Sequence, residues 1–276
     1  MAARRHAISM QPSNRRLRAS PLIAFLVFAV CAATVPAPAA SAGPPATSVP
    51  TEPGAPASGP VAVSLYTRGD FVSQARADWC VPAAIQTMAN LIGRGPDAPP
   101  VPSQRQLDRL ARSLSSDRLV GAGSEPEGWA GALNELGLGR YVVVSVRTRE
   151  GAITAAARAI RLTGRPVGLL MWRGAHAWVM SGFEATADPI RTDEFVVTHI
   201  RVLDPWYPRT SSIWGRGQAP NTRISVANLA DDFLRWRRPA VRYAEKDGQF
   251  VLVLPVPEPP PPRILRPTAG PYLVGR

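Results

Sequence analysis

The sequence predicts an α+β fold, with helices gathered early and an antiparallel sheet gathered late. Between Val81 and Leu136, apolar residues recur at three- and four-residue spacing, the period of helices with one face on a core. From Tyr141 onward, short runs rich in β-branched and aromatic residues dominate, broken by Gly, Pro and Asp. Segregation of the two kinds of segment, rather than strict alternation, is the mark of α+β architecture.

The first helix is predicted from Val81, where Val81, Ala84, Ile85, Met88, Leu91 and Ile92 form one stripe. Pro82 suits a first turn, and Gly93 and Gly95 are natural stops. Ser103 with Gln106 reads as a capping box ahead of Leu107, Leu110, Ala111 and Leu114. Ser124 with Glu127 reads as a second, ahead of Trp129, Leu133 and Leu136, with Gly137 closing the helix. Another helix is expected over Ala152 to Leu162, stopped by Gly164, and a last one over Val226 to Trp236, capped by Ser225. Strands are expected at Tyr141 to Val146, Val167 to Trp172, His176 to Ala185, Phe195 to Leu203 and Phe250 to Leu254.

Residues 1–42 read as an export signal. Arg4, Arg5, Arg15, Arg16 and Arg18 precede an apolar run from Leu22 to Val35, and Ala40-Ser41-Ala42 is an A-x-A cleavage site. The run is shorter than the roughly 20 residues a spanning helix needs. The expected product is secreted or held in the cell envelope, with no stable membrane insertion. Residues 43–60, rich in Pro, Ala, Ser and Thr, read as a linker, and residues 256–276 as a Pro-rich tail. Between them, residues 61–255 are the length of one domain.

The formal charge of +12 falls to about +7 once the five arginines of the signal are removed. The remaining arginines are scattered and lack the aromatic interleaving of a nucleic-acid groove, so no nucleic-acid partner is expected. A basic exported chain leans toward acidic polymers or anionic surfaces. No cluster has metal-ligand spacing, and no Gly-rich loop is placed to cradle phosphate, so neither metal nor cofactor is expected.

Loss of residues 1–42 also removes Cys31 and leaves Cys80 with no disulfide partner. A lone cysteine is more often a packed core residue. Cys80, however, stands where a helix begins, and unpaired N–H groups there favour a thiolate nucleophile. Two histidines remain, His176 and His199. His176 opens a predicted strand and Asp204 ends the next. In a hairpin turning about Ile190 the two are equidistant from the centre and face each other. His199 falls about 16 Å from that end at ~3.3 Å per residue and reads as a core or sheet-face histidine. Asp188 and Asp193, in the predicted turn, are fallback carboxylates. A thiol, an imidazole and an orienting carboxylate are the parts of thiol catalysis. Trp178 and Trp206 stand near this pair in sequence, as core fillers or as a shield against water.

Gln74, Cys80, Gly174-Ala175-His176 and Asp204-Pro205 resemble, in order and spacing, the papain-like cysteine peptidases, in particular the branch similar to bacteriocin leader-processing peptidases. The resemblance spans about Ser64 to Leu254. It implies a papain-like fold, with Cys80 as nucleophile, His176 as base and acid, Asp204 orienting His176, and Gln74 helping to form an oxyanion hole. Val81 stands where leader-processing members have Gly, so a secreted relative acting on a peptide or protein substrate is expected. Acyl transfer by the same residues and a silent binding domain of this fold are the competing readings.

Overall fold

The computed structural model describes residues 59–93, 100–116, 121–238 and 242–258, all within one unit from Pro53 to Arg276. The expected export signal, most of the expected linker and the tail from residue 259 lie outside the described residues. The α+β expectation holds: early helices pack on a mostly later antiparallel sheet. No helix among the described residues is long and apolar enough to cross a membrane.

Helix α1 runs Cys80–Ile92, α2 Gln104–Ser113 and α3 Pro126–Glu135. The stripe read from the sequence is the buried face of α1: Ala84, Ile85 and Met88 are fully buried, and Val81 and Leu91 nearly so. Burying Ile85 and Met88 stabilises the fold by about 1.5–3 kcal/mol each. The capping box of Ser103 and Gln106 is formed. The second box is not. Helix α3 starts at Pro126 with Glu125 at its N-cap, and the Ser124 hydroxyl is buried with no partner. Pro126 is pre-shaped for a first helical position, and the Glu125 carboxylate is drawn away from the helix, accepting from Ser116 N at 2.6 Å and Tyr243 Oη at 2.5 Å.

The main sheet contains β1 (Val61–Ser64), β2 (Tyr141–Val146), β3 (Val167–Met171), β4 (His176–Ala185), β5 (Val197–Leu203), β8 (Thr222–Ser225) and β9 (Phe250–Pro255). Their order is β2-β9-β3-β4-β5-β8, and β1 joins β4 beyond the end of β3. Two short strands, β6 (Thr210–Ser211) and β7 (Gly215–Arg216), make a separate hairpin. Helices α1 and α3 cover one face of the sheet, with α2 packed on both. Helix α4 (Arg149–Thr163) covers the other; Thr148 caps its start through Gly151 N, and Gly164 ends it at φ 64°. With helices on both faces the central strands are buried throughout, so Leu169, Trp178, Met180 and Leu252 pack toward α4 while Leu170, Ala177, Val179 and Val253 pack toward α1 and α3.

The expected helix over Val226 to Trp236 is absent; a single 3-10 turn, Asn228–Asp231, stands in its place. Leu229, Phe233 and Trp236 are buried at helical spacing, which explains the expectation. Tertiary partners claim the backbone instead. Asp232 O accepts from Trp172 N, and Trp236 exchanges hydrogen bonds with Gln249 O and Gly248 N.

Candidate active site

Cys80 is the first residue of α1 and is half-buried, with Trp79 at the N-cap. No side chain caps this end of the helix. The first N–H groups of the helix are therefore not taken up by a side-chain cap.

His176 is the first residue of β4 and is 4% exposed. It is set against Met171 across the β3–β4 hairpin, whose turn is Trp172-Arg173-Gly174-Ala175. The first three turn residues are left-handed, with φ of 53°, 62° and 82°. For non-glycine residues such a conformation costs about 1–3 kcal/mol each. It turns the Trp172 indole back onto its own hairpin, where it lies flat on the His176 ring with centroids 4.1 Å apart and 18° between planes. Gly174 has a second constraint, because a Cβ there would sit 2.4 Å from Cε3 of Trp236.

Asp204 follows β5 and is fully buried. Its Oδ1 accepts from His176 Nε2 at 2.7 Å and from Trp206 N at 2.9 Å, and its Oδ2 accepts from Gln218 N at 2.9 Å. A carboxylate held by two backbone N–H groups is fixed as an acceptor, so the proton of this pair sits on Nε2. That leaves Nδ1 for Cys80. Burial by itself would lower the His176 pKa. The Asp204 hydrogen bond, the hydrogen bond and charge of Cys80, and the Asp204 charge outweigh it, and His176 is pushed up from 6.5 to about 9.

The hairpin arithmetic succeeds with a correction. Val179 pairs with Leu203, where a regular hairpin centred on Ile190 would set it against Arg201. The β4–β5 ladder carries irregularities at Met180/Gly182 and Glu184/Ala185. These are opposite in sign and cancel, and the two-residue offset is already present at Ala185 and Val197 beside the turn, which is centred on Arg191; a shift of one full pleat leaves Asp204 on the same face. His199 is half-exposed on the sheet, opposite Glu184 and 3.0 Å from Arg223 Nη2, far from core packing. Asp188 and Asp193 pair with Arg161 and Arg158.

Gln74 is buried, and its N–H donates to Pro205 O at 2.9 Å, tying the loop before Cys80 to the Asp204-Pro205 turn. The family pattern assigns its amide to an oxyanion. Here Nε2 donates to Arg76 O at 2.7 Å and Ala77 O at 2.9 Å, and Oε1 is buried without a partner. Gln74 thus clasps the loop that delivers Cys80.

Cys80 and His176 open onto one cavity of about 430 Å³. Glu125, Tyr243, Arg238 and Arg242 also line it. Of the two tryptophans singled out in sequence, Trp206 meets the His176 ring edge-on at 6.4 Å, while Trp178 is core. The aromatic that covers the imidazole face is Trp172, which sequence reasoning assigned to the end of a strand. Its Nε1 donates to Asp232 Oδ1 at 2.9 Å, and Trp214 stacks 5.7 Å from it. An aromatic just before the Arg-Gly-Ala-His turn was the available signal. Among the described residues no cluster of His, Cys, Asp and Glu is arranged to hold a metal.

No family model matches this chain, and no curated protein matches it. Among solved structures it is similar to UfSP from C. elegans, at 19% identity and a TM-score of 0.41, over 68% of this chain and 32% of that one. It is also similar to a protein from Bacillus anthracis described as a C39-like peptidase, at 9% identity and a TM-score of 0.38, over 68% of this chain and 95% of that one. The chain therefore spans about a third of the length of the UfSP it resembles.

Proposed function

We propose that this chain is a papain-like thiol peptidase that cleaves peptide or isopeptide bonds through an acyl-enzyme, and that it acts outside the cytoplasm once residues 1–42 are removed. The observation that carries this reading is one buried imidazole held by Asp204 at 2.7 Å that lines the same cavity as Cys80. With Nδ1 already protonated, as the raised His176 pKa favours, Sγ bonds to the substrate carbonyl carbon as the thiolate of an ion pair. The carbonyl electron pair moves to oxygen, which accepts a hydrogen bond from the Cys80 N–H. Collapse expels the amine, which leaves with the proton from Nδ1, and a thioester remains on Sγ. Water then attacks the thioester, giving its proton to Nδ1. The second collapse releases the carboxylic acid and leaves the proton on Nδ1, restoring the ion pair. Asp204 holds the ring in one orientation throughout.

The test is labelling of the purified protein with a peptide-based thiol electrophile, read by mass spectrometry. Modification confined to Cys80, and lost in His176→Ala, is the expected result. A Cys80 that labels only after denaturant is added would be a core residue, and the peptidase reading would fail.

A further inference from the structure

A second pocket lies on the other side of the Trp172-Arg173-Gly174 turn, and its chemistry differs from that of the first. It is lined by Arg149, Arg173, Arg235 and Arg237, with Leu234 and Phe250 behind them. Four guanidinium groups around one concavity repel each other unless an anion joins them. Among the described residues the carboxylate paired with any of the four is Asp247, 3.3 Å from Arg237.

The groups are held in place. Arg235 Nη1 donates to Arg147 O and Gly248 O at 2.7 Å each, and Arg149 Nε donates to Phe233 O at 3.3 Å. Both guanidinia lie over the Phe250 ring, at 5.2 and 5.6 Å, so the apolar floor is already covered and offers nothing to an apolar side chain. Arg173 is exposed, as are Arg235 and Arg237; it is carried at a left-handed φ of 62°, and its guanidinium makes no hydrogen bond or ion pair among the described residues. Arg237 N donates to Arg173 O at 3.2 Å, which joins the two segments that build the pocket. The arginines continue toward the nucleophile, since Arg238 follows Arg237, reaches Gly174 O through Nε at 3.3 Å, and lines the cavity of Cys80.

We propose that this pocket is an exosite for an acidic segment of the polypeptide substrate, one carrying at least two carboxylates. Guanidinium forks match carboxylates with paired, charge-assisted hydrogen bonds, and several fixed forks favour more than one such group. The shared turn puts the bound segment beside His176, so the scissile bond lies a few residues from the acidic side chains. Substrate identity here rests on the peptidase reading, whereas binding does not.

The experiment uses the Cys80→Ala protein and a fluorescein-labelled peptide rich in Glu and Asp, with fluorescence anisotropy as the readout. The acidic peptide binds, its Gln and Asn counterpart does not, and affinity falls as salt rises. Arg173→Gln with Arg237→Gln weakens binding by about tenfold or more, because two charge-assisted partners are lost. Arg191→Gln, a surface arginine elsewhere, leaves it unchanged. Equal binding of both peptides, or full affinity in the double variant, overturns the exosite. So does binding confined to phosphatidylserine vesicles, which would make the patch a membrane contact. If acidic peptides bind as described but the Cys80 protein never cleaves them, the exosite stands and the peptidase reading falls.

Discussion

The indole of Trp172 lies flat on the imidazole of His176, and the same indole is anchored through Nε1 to Asp232. Asp204 fixes the edge of the His176 ring and Trp172 fixes its face. The indole face also favours the charged imidazolium, by about 0.5–2 kcal/mol for a desolvated pair. Trp172→Leu is expected to lower kcat by roughly tenfold or more, with KM little changed. It should also lower the His176 pKa, read as a shift of the basic limb of the pH–rate profile. Trp172→Phe, which restores an aromatic face, should recover most of both. An unshifted limb in Trp172→Leu would mean the tryptophan only fills space.

The raised pKa of His176 gives a signed pH prediction. The imidazolium form is favoured in the folded chain, so its contribution to stability is complete below the unfolded value of 6.5. It is lost as pH rises through about 9. Cleavage needs the same proton for the leaving amine, so activity should fall on the alkaline side near about 9. In Asp204→Asn the burial penalty remains while the main compensating partner is lost, so the His176 titration should move well below that of the wild type. NMR titration of the His176 ring checks this, and an unchanged midpoint would sink it.

Gly174→Ala should be among the most damaging small substitutions in the chain. The new Cβ meets the Trp236 ring at 2.4 Å, and the residue would still need a φ of 82°. Overpacking and backbone strain together should cost about 2–4 kcal/mol, measurable by urea unfolding. Activity should fall as well, because the turn carries both Trp172 and His176.

Cys80→Ala should abolish cleavage and leave the unfolding midpoint nearly unchanged. Cys80 is half-buried at a helix start, so little packing is lost. A fall of several kcal/mol in urea unfolding would show the sulfur to be a core atom.

The sequence by itself determined the elements with a local cause. The apolar stripe of α1, the capping box of α2 and the Gly164 end of α4 depend on residues within a turn or two of each other, and so do the runs that became β2, β3, β4 and β9. Cys80, His176 and Asp204 were readable as a set because each stands at the end of an element, where spacing and hairpin symmetry place it. Tertiary structure decided whatever required two distant backbones to meet. Residues 226–236 have a helical apolar period, yet Trp172 and Gln249 take up backbone groups that a helix would have used. The side-chain donors of Gln74 went to the carbonyls of Arg76 and Ala77, and the β4–β5 turn is centred on Arg191, which moves the register by a full pleat. Trp172 left the end of its strand for the face of His176 through a left-handed turn that no L-residue adopts without compensating contacts. Local preference is summed along the chain and can be read there, whereas these outcomes depend on which long-range partner reaches each polar group first.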